Sequence, residues 1–181
     1  LDFKRILLLM TAVAAASAAL FIFVSGGLPE RAQFSGQILP NGVIAAPELN
    51  AVAPNFTLTT LNGTQVTLQS LRGTPVIINF WATWCEPCRV EMPILQRFYE
   101  ATQSRGVHIL AVNLGETPDV VRQWADDLNL TFDILLDPQQ SLAALYQIRG
   151  QPSTYAISPS GTITSIFYGP VSAEQLQSVL P

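Results

Sequence analysis

Hydrophobic and polar positions divide this chain into three stretches. Ile6 to Val24, "ILLLMTAVAAASAALFIFV", is apolar but for Thr11 and Ser17 and carries no charge, Pro or Gly. Residues 25–53 scatter Gly, Pro and Asn among short apolar runs and keep no long period, which predicts an extended spacer. From residue 54 the pattern becomes regular. "FTLTTLNGTQVTL" alternates on either side of Asn62-Gly63, a hairpin signal. Pro75 to Ala82, "PVIINFWA", is a continuous apolar run and predicts a strand buried on both faces. A helix should begin near Cys85 and run to about Ser104. Met92, Leu95, Phe98 and Tyr99 form its apolar stripe, Pro93 is expected to kink it, and Arg105-Gly106 to end it. Val107 to Leu114 predicts a second buried strand.

The remaining elements follow in alternation. "TPDVVRQWADDLNL" predicts a helix with Thr117 as N-cap and Pro118 at the first helical position. "FDILLD" predicts a strand, "QQSLAALYQI" a helix, and "STYAISPSGTITSIFYG" two strands about a turn at Ser158 to Gly161. "SAEQLQSVL" closes the chain as a helix capped by Ser172. Strands separated by helices must pair in parallel, and the last two form an antiparallel hairpin. The fold class is α/β: a mixed sheet with helices on both faces.

Composition narrows the possibilities. The chain has 181 residues, a net charge of −4 and one lysine, Lys4. It contains no basic run of the kind phosphate binding needs, so a nucleic-acid partner is not expected. The first apolar stretch, about 19 residues, is the length a membrane-spanning helix requires. Lys4 and Arg5 precede it, which places that end in the cytoplasm and the rest outside. The expected layout is a cytoplasmic stub over 1–5, an anchor over 6–24, a linker over 25–53 and a domain over 54–181. A cleaved signal peptide is the alternative for the first segment, with "AAASAA" as its small-residue region. Either reading exports the domain to a compartment where disulfides form.

Both cysteines of the chain lie in "WATWCEPCRVEMP". A bridge between Cys85 and Cys88 closes too short a loop to stabilise much. A metal site lacks ligands, because His108 is the sole histidine and sits in an apolar strand; no metal and no cofactor are expected. A reactive dithiol fits. At a helix start, unpaired N–H groups and the helix dipole favour the thiolate of Cys85. Cys85 can attack a partner disulfide, and Cys88, one turn on, can resolve the mixed disulfide and leave the pair oxidised.

"FWATWCEPC", the following "EMP", "AVNLGE", "LDP" and "GQPSTYAI" resemble the membrane-anchored thiol–disulfide oxidoreductases of the TlpA/ResA type. The resemblance implies a thioredoxin-like three-layer sandwich with an N-terminal hairpin and a central βα insertion, preceded by one transmembrane helix. It implies Cys85 as the exposed nucleophile and Cys88 as the resolving thiol. Pro152 would be a cis-proline facing the dithiol, with Gln151 offering backbone groups to a client. Trp84 would cover the site, with Glu86 and Pro87 also facing clients, and Glu91 and Glu116 would be acids near the dithiol. Asn79 departs from classical thioredoxin, which has a buried Asp there, so proton handling at Cys88 must come from Glu91, Glu116 or water. The resemblance also implies a membrane electron donor of the CcdA/DsbD type. Among client proteins it suggests apocytochrome c or copper-centre assembly proteins.

Glu86 beside the thiolate, with no Lys or His between the cysteines, argues for a reductant rather than an oxidant or isomerase. A thiol peroxidase would want a single peroxidatic cysteine, and an inert anchored binding module would waste a helix-start dithiol. N-x-[ST] matches at Asn55, Asn62 and Asn129 carry no weight without a glycosylating host.

Overall fold

The six residues of the central strand, Val76–Trp81, are all buried, and their side chains alternate between two cores. Val76, Ile78 and Phe80 enter one; Ile77 and Trp81 enter the other. A strand apolar on both sides can be stable only between two covering layers, so this segment dictates a three-layer arrangement. The structure is a computed structural model and describes residues 37–38, 42 and 44–180, with single positions 2, 4, 10 and 17. The chain divides into two units, Leu1–Phe34 and Ser35–Pro181. The expected anchor, 6–24, lies outside the described residues except at positions 10 and 17. Among the described residues no helix is long and apolar enough to cross a membrane.

In chain order the strands are β1 (Gln37–Ile38), β2 (Ile44–Ala45), β3 (Thr57–Thr60), β4 (Gln65–Thr67), β5 (Val76–Trp81), β6 (His108–Leu114), β7 (Asp133–Asp137), β8 (Ser153–Ile157) and β9 (Ile163–Tyr168). The helices are α1 (Glu86–Thr102), α2 (Pro118–Asp127), α3 (Ser141–Leu145) and α4 (Ala173–Ser178). Among the described residues β1 and β2 pair alone, and seven strands form one sheet in the order β4-β3-β7-β6-β5-β8-β9. β5, β6 and β7 are parallel; β3 joins β7, and β8 joins β5, antiparallel. This is the thioredoxin-like mixed sheet. Met92, Leu95 and Phe98 of α1, Val121 and Trp124 of α2 and Leu176 of α4 cover one face. Leu142 and Ala143 of α3, with Leu68, Phe56 and Tyr146, cover the other.

Local details confirm some of the expected element ends and change others. α1 continues through Pro93 to Thr102, then tightens into a 3-10 turn that ends at Gly106, whose φ of 77° is readily available to glycine. Thr117 is the N-cap of α2, but its hydroxyl makes no cap bond. α3 is much shorter than the ten residues expected. Gln140 (φ 55°) and Gln147 (φ 53°) are both left-handed and confine it to a little over one turn. Its N-terminal groups are satisfied by Asp137 at the end of β7, which accepts from the Ala143 N–H (2.9 Å) and the Ser141 hydroxyl (3.1 Å). Within the segment read as linker, residues 50–53 pair with the turn into β9 and with its first residue, Ile163. The Asn50 N–H donates to the Ile163 carbonyl (2.8 Å), the Ile163 N–H to the Ala51 carbonyl (2.9 Å) and the Ala53 N–H to the Gly161 carbonyl (2.9 Å).

Candidate active site

The site lies where β5 ends and α1 begins. Trp81 closes the strand, Ala82 to Trp84 turn the chain, and Cys85 is the N-cap of α1 with extended backbone (φ −86°). Its sulfur accepts the Cys88 N–H at 3.2 Å, one of the donors that a helix start leaves without a backbone partner. Glu86 and Pro87 fill the first two helical positions, where Pro loses nothing by lacking an N–H. The two cysteines form a disulfide. Cys88 is fully buried and Cys85 is 5% exposed, so the expected exposed nucleophile is itself nearly buried in the disulfide form. Its position at the helix head, tied to Cys88, accounts for this. Trp84 beside it is 70% exposed, an unusual exposure for so large an apolar side chain, while Glu86 and Pro87 face solvent.

Pro152 stands at the start of β8, the antiparallel neighbour of β5, and the Gln151–Pro152 peptide bond is cis. Pro152 is buried and Gln151 half-buried. The register pairs Phe80 with Ser153 and Asn79 with Thr154, which brings the cis-proline to the same end of the sheet as the dithiol.

The two candidate acids have different surroundings. Glu91 is on α1, three residues after Cys88 and therefore on the same helical face. It is fully buried. Its Oε1 accepts from Asn79 Nδ2 (2.7 Å) and its Oε2 from the Val171 N–H (2.9 Å), just ahead of α4. Burial pushes its carboxyl up to about 7 from an ordinary 4.5, and these two hydrogen bonds only partly oppose that. Glu116, in the loop between β6 and α2, is half-buried and clamps the turn that leads into the dithiol. It accepts from the Thr83 N–H (2.7 Å), the Thr83 hydroxyl and Asn113 Nδ2 (2.7 Å).

Sequence reasoning did not find Asn113, Thr154 or Val171 among the site residues. Asn113 is paired with Trp81 in the sheet, and Thr154 accepts from Asn79 Nδ2 at 3.0 Å. Asn113 carried a signal: a polar residue one position before the end of a strand that is apolar and buried from Ile109 onward. Val171 contributes only its backbone, which sequence does not mark. Beneath the dithiol, Trp81 and Trp124 stack with centroids 4.5 Å apart.

Chemically, the arrangement supplies a sulfur at a helix head, a second sulfur shielded from solvent, and a buried carboxyl able to take or give a proton near neutrality. An aromatic surface and a cis-proline flank the dithiol.

Comparison with known proteins is consistent with this geometry. The family described as AhpC/TSA matches residues 49–166. The chain is 37% identical over 132 residues to the thiol-disulfide oxidoreductase ResA of Geobacillus kaustophilus, covering 73% of this chain and 76% of that protein. It is 32% identical over 148 residues to ResA of Bacillus subtilis, covering 80% and 83%. Among solved structures, StoA from Bacillus subtilis superposes with a TM-score of 0.63 at 33% identity, covering 71% of this chain and 97% of that one.

Proposed function

We propose that this chain, which belongs to the AhpC/TSA family within the thioredoxin superfamily and is a ResA-like thiol–disulfide oxidoreductase, works as a reductant of protein disulfides outside the cytoplasm. The reduced enzyme meets a client disulfide. The Cys85 thiolate attacks one client sulfur, a Cys85–client bond forms, and the other client sulfur leaves as a thiolate. Glu91 takes the proton of Cys88, whose thiolate attacks the Cys85 sulfur. The Cys85–Cys88 bond forms, the Cys85–client bond breaks, and the second client sulfur leaves as a thiolate. The client gains two electrons from the dithiol and two protons, one from Cys88 by way of Glu91 and one from solvent.

The reductive direction rests on one observation above all. Glu86 is the acid of the first turn of α1, and no Lys or His stands between the cysteines. A negative group beside the helix-head sulfur works against the thiolate and so favours the disulfide form of the enzyme. The apolar stretch Ile6 to Val24 behind Lys4 and Arg5 supports membrane attachment with the domain outside. A reductant there needs electrons from across the membrane, and a carrier of the CcdA/DsbD type is the donor we propose. Apocytochrome c is the proposed client, its haem-attachment cysteines needing reduction.

The reduction potential of the full 181-residue chain, equilibrated against dithiothreitol and glutathione buffers, tests the direction. A value at or below thioredoxin's, about −270 mV, supports a reductant; one near about −120 mV makes the protein an oxidant.

A further inference from the structure

Both oxygens of Glu91 face hydrogen-bond donors: Oε1 faces Asn79 Nδ2 and Oε2 faces the Val171 N–H. That suits a carboxylate. It does not suit a carboxylic acid, because a proton on either oxygen then meets another N–H. The Val171 donor is backbone and cannot become an acceptor. The Asn79 amide can, since a half-turn exchanges Nδ2 and Oδ1. Asn79 Oδ1 is buried and has no hydrogen-bond partner, so the half-turn breaks no bond made by that oxygen. The other neighbour of the amide tolerates both orientations. The Thr154 hydroxyl accepts from Nδ2 at 3.0 Å and can donate to Oδ1 in its place.

We propose that Asn79 is a positioning residue that turns over with the protonation of Glu91, presenting Nδ2 to the carboxylate and Oδ1 to the acid. Each orientation leaves one amide atom unpaired, so the residue holds neither state much more strongly than the other. When Cys88 gives up its proton, the S–H bond breaks and an O–H bond forms on Glu91 Oε1. The amide then accepts that O–H. When Glu91 loses the proton, the amide returns. An aspartate at this position would set two carboxylates 2.7 Å apart, and the pair would keep a proton. An aliphatic residue would strand the acid's proton. Among the described residues, the groups facing Glu91 are Cys88 on its own helix, Asn79 on β5 with Thr154 of β8 behind it, and the Val171 N–H. None is a cation or a second carboxylate.

The proposal rests on Glu91 as the proton acceptor for Cys88, and the test separates the two ideas. The oxidised full chain, with isotope-labelled asparagine side-chain nitrogens and glutamate carboxyl carbons, is titrated by NMR from about pH 4 to pH 10. The Glu91 carboxyl is expected to show a midpoint near 7, and the Asn79 Nδ2 signal should move with the same midpoint. In parallel, resolution of a trapped mixed disulfide is timed in Asn79→Asp, Glu91→Gln and the double exchange. Each single variant should resolve about tenfold to a hundredfold more slowly at neutral pH. The double exchange, which restores one carboxylate and one amide, should recover most of the loss. An Asn79 signal that stays constant while Glu91 titrates overturns the amide turnover. So does a double exchange that folds but is no faster than either single variant. A Glu91→Gln enzyme with the parent resolution rate removes the premise itself.

Discussion

Thr83 donates both its backbone N–H and its hydroxyl to the carboxylate of Glu116, which closes a clamp between the β6–α2 loop and the turn into the dithiol. Within the turn the Cys85 N–H donates to the Ala82 carbonyl (3.2 Å), and this carboxylate ties the turn to the rest of the fold and so helps fix where α1 begins. Asn113 adds a third donor and holds Glu116 against the end of β6. Replacing Glu116 by Ala should cost about 1.5–3 kcal/mol, the range for hydrogen bonds to a charged group. It should also slow client attack by Cys85, because the sulfur loses its fixed approach. Thermal unfolding read beside the rate of the first thiol exchange measures both, and an unchanged midpoint with an unchanged rate would count against the clamp.

Glu91 gives the fold a pH dependence of defined sign. Its carboxyl titrates at about 7 in the folded chain against an ordinary 4.5, so between these values the folded state holds a proton that the unfolded state has lost. Stability from this group is therefore greatest below about pH 4.5 and falls as the pH rises through 7. The full effect is on the order of 3 kcal/mol. Glu91→Gln resembles the protonated acid and should remove the slope. Denaturant titrations of both proteins at pH values spanning that window give the difference. Parallel curves would mean that Glu91 is not protonated on folding.

The depth difference between the two sulfurs predicts an asymmetric trap. Cys88→Ser should accumulate a covalent adduct with a disulfide client, since Cys85 can still attack and nothing resolves it. Cys85→Ser should give none, because Cys88 is sealed under the helix head. Non-reducing gels of the two variants after exposure to a model disulfide distinguish them, and an equal yield of adduct from both would reverse the assignment.

Asp137 should matter to the fold and not to the chemistry. It is buried and caps α3 through the Ala143 N–H and the Ser141 hydroxyl. Asp137→Ala should lower stability by about 1–2 kcal/mol, as loss of an N-cap does, with the reduction potential unchanged. A shifted potential would place Asp137 in the electrostatics of the dithiol.

The sheet and its order of elements were legible because β5 and β6 are long apolar runs bounded by clear turn and cap signals. The dithiol was legible for the same reason: a strand end, two cysteines and a helix start follow each other within nine residues of one another. What the pattern did not reveal depends on contacts across long separations. Glu91 and Glu116 look like ordinary surface charges in sequence, and only packing shows that one is buried against Asn79 and the other holds Thr83. The short α3 was overestimated because its ten residues have helical composition. The left-handed Gln140 and Gln147, which stop it, are not marked by local residue preference, since glutamine is not among the residues that favour that conformation. Thr154 acts through register with β5, and a partner across strands cannot be read from one strand.

The pairing of residues 50–53 at the start of β9 bears on how copies of this domain behave at close quarters. An outer strand with free N–H and C=O groups is a template on which another chain can add and start a growing aggregate. Here the domain's own preceding segment already bonds to Gly161 and to Ile163, the first residue of β9, and a register irregularity between Ala156 and Ile157 disturbs the β8–β9 ladder at the same place. The opposite margin, β4, is only three residues long. Both borders are thus shortened, β9 at its start and β4 by its length, which reduces the edge the sheet offers to a neighbour.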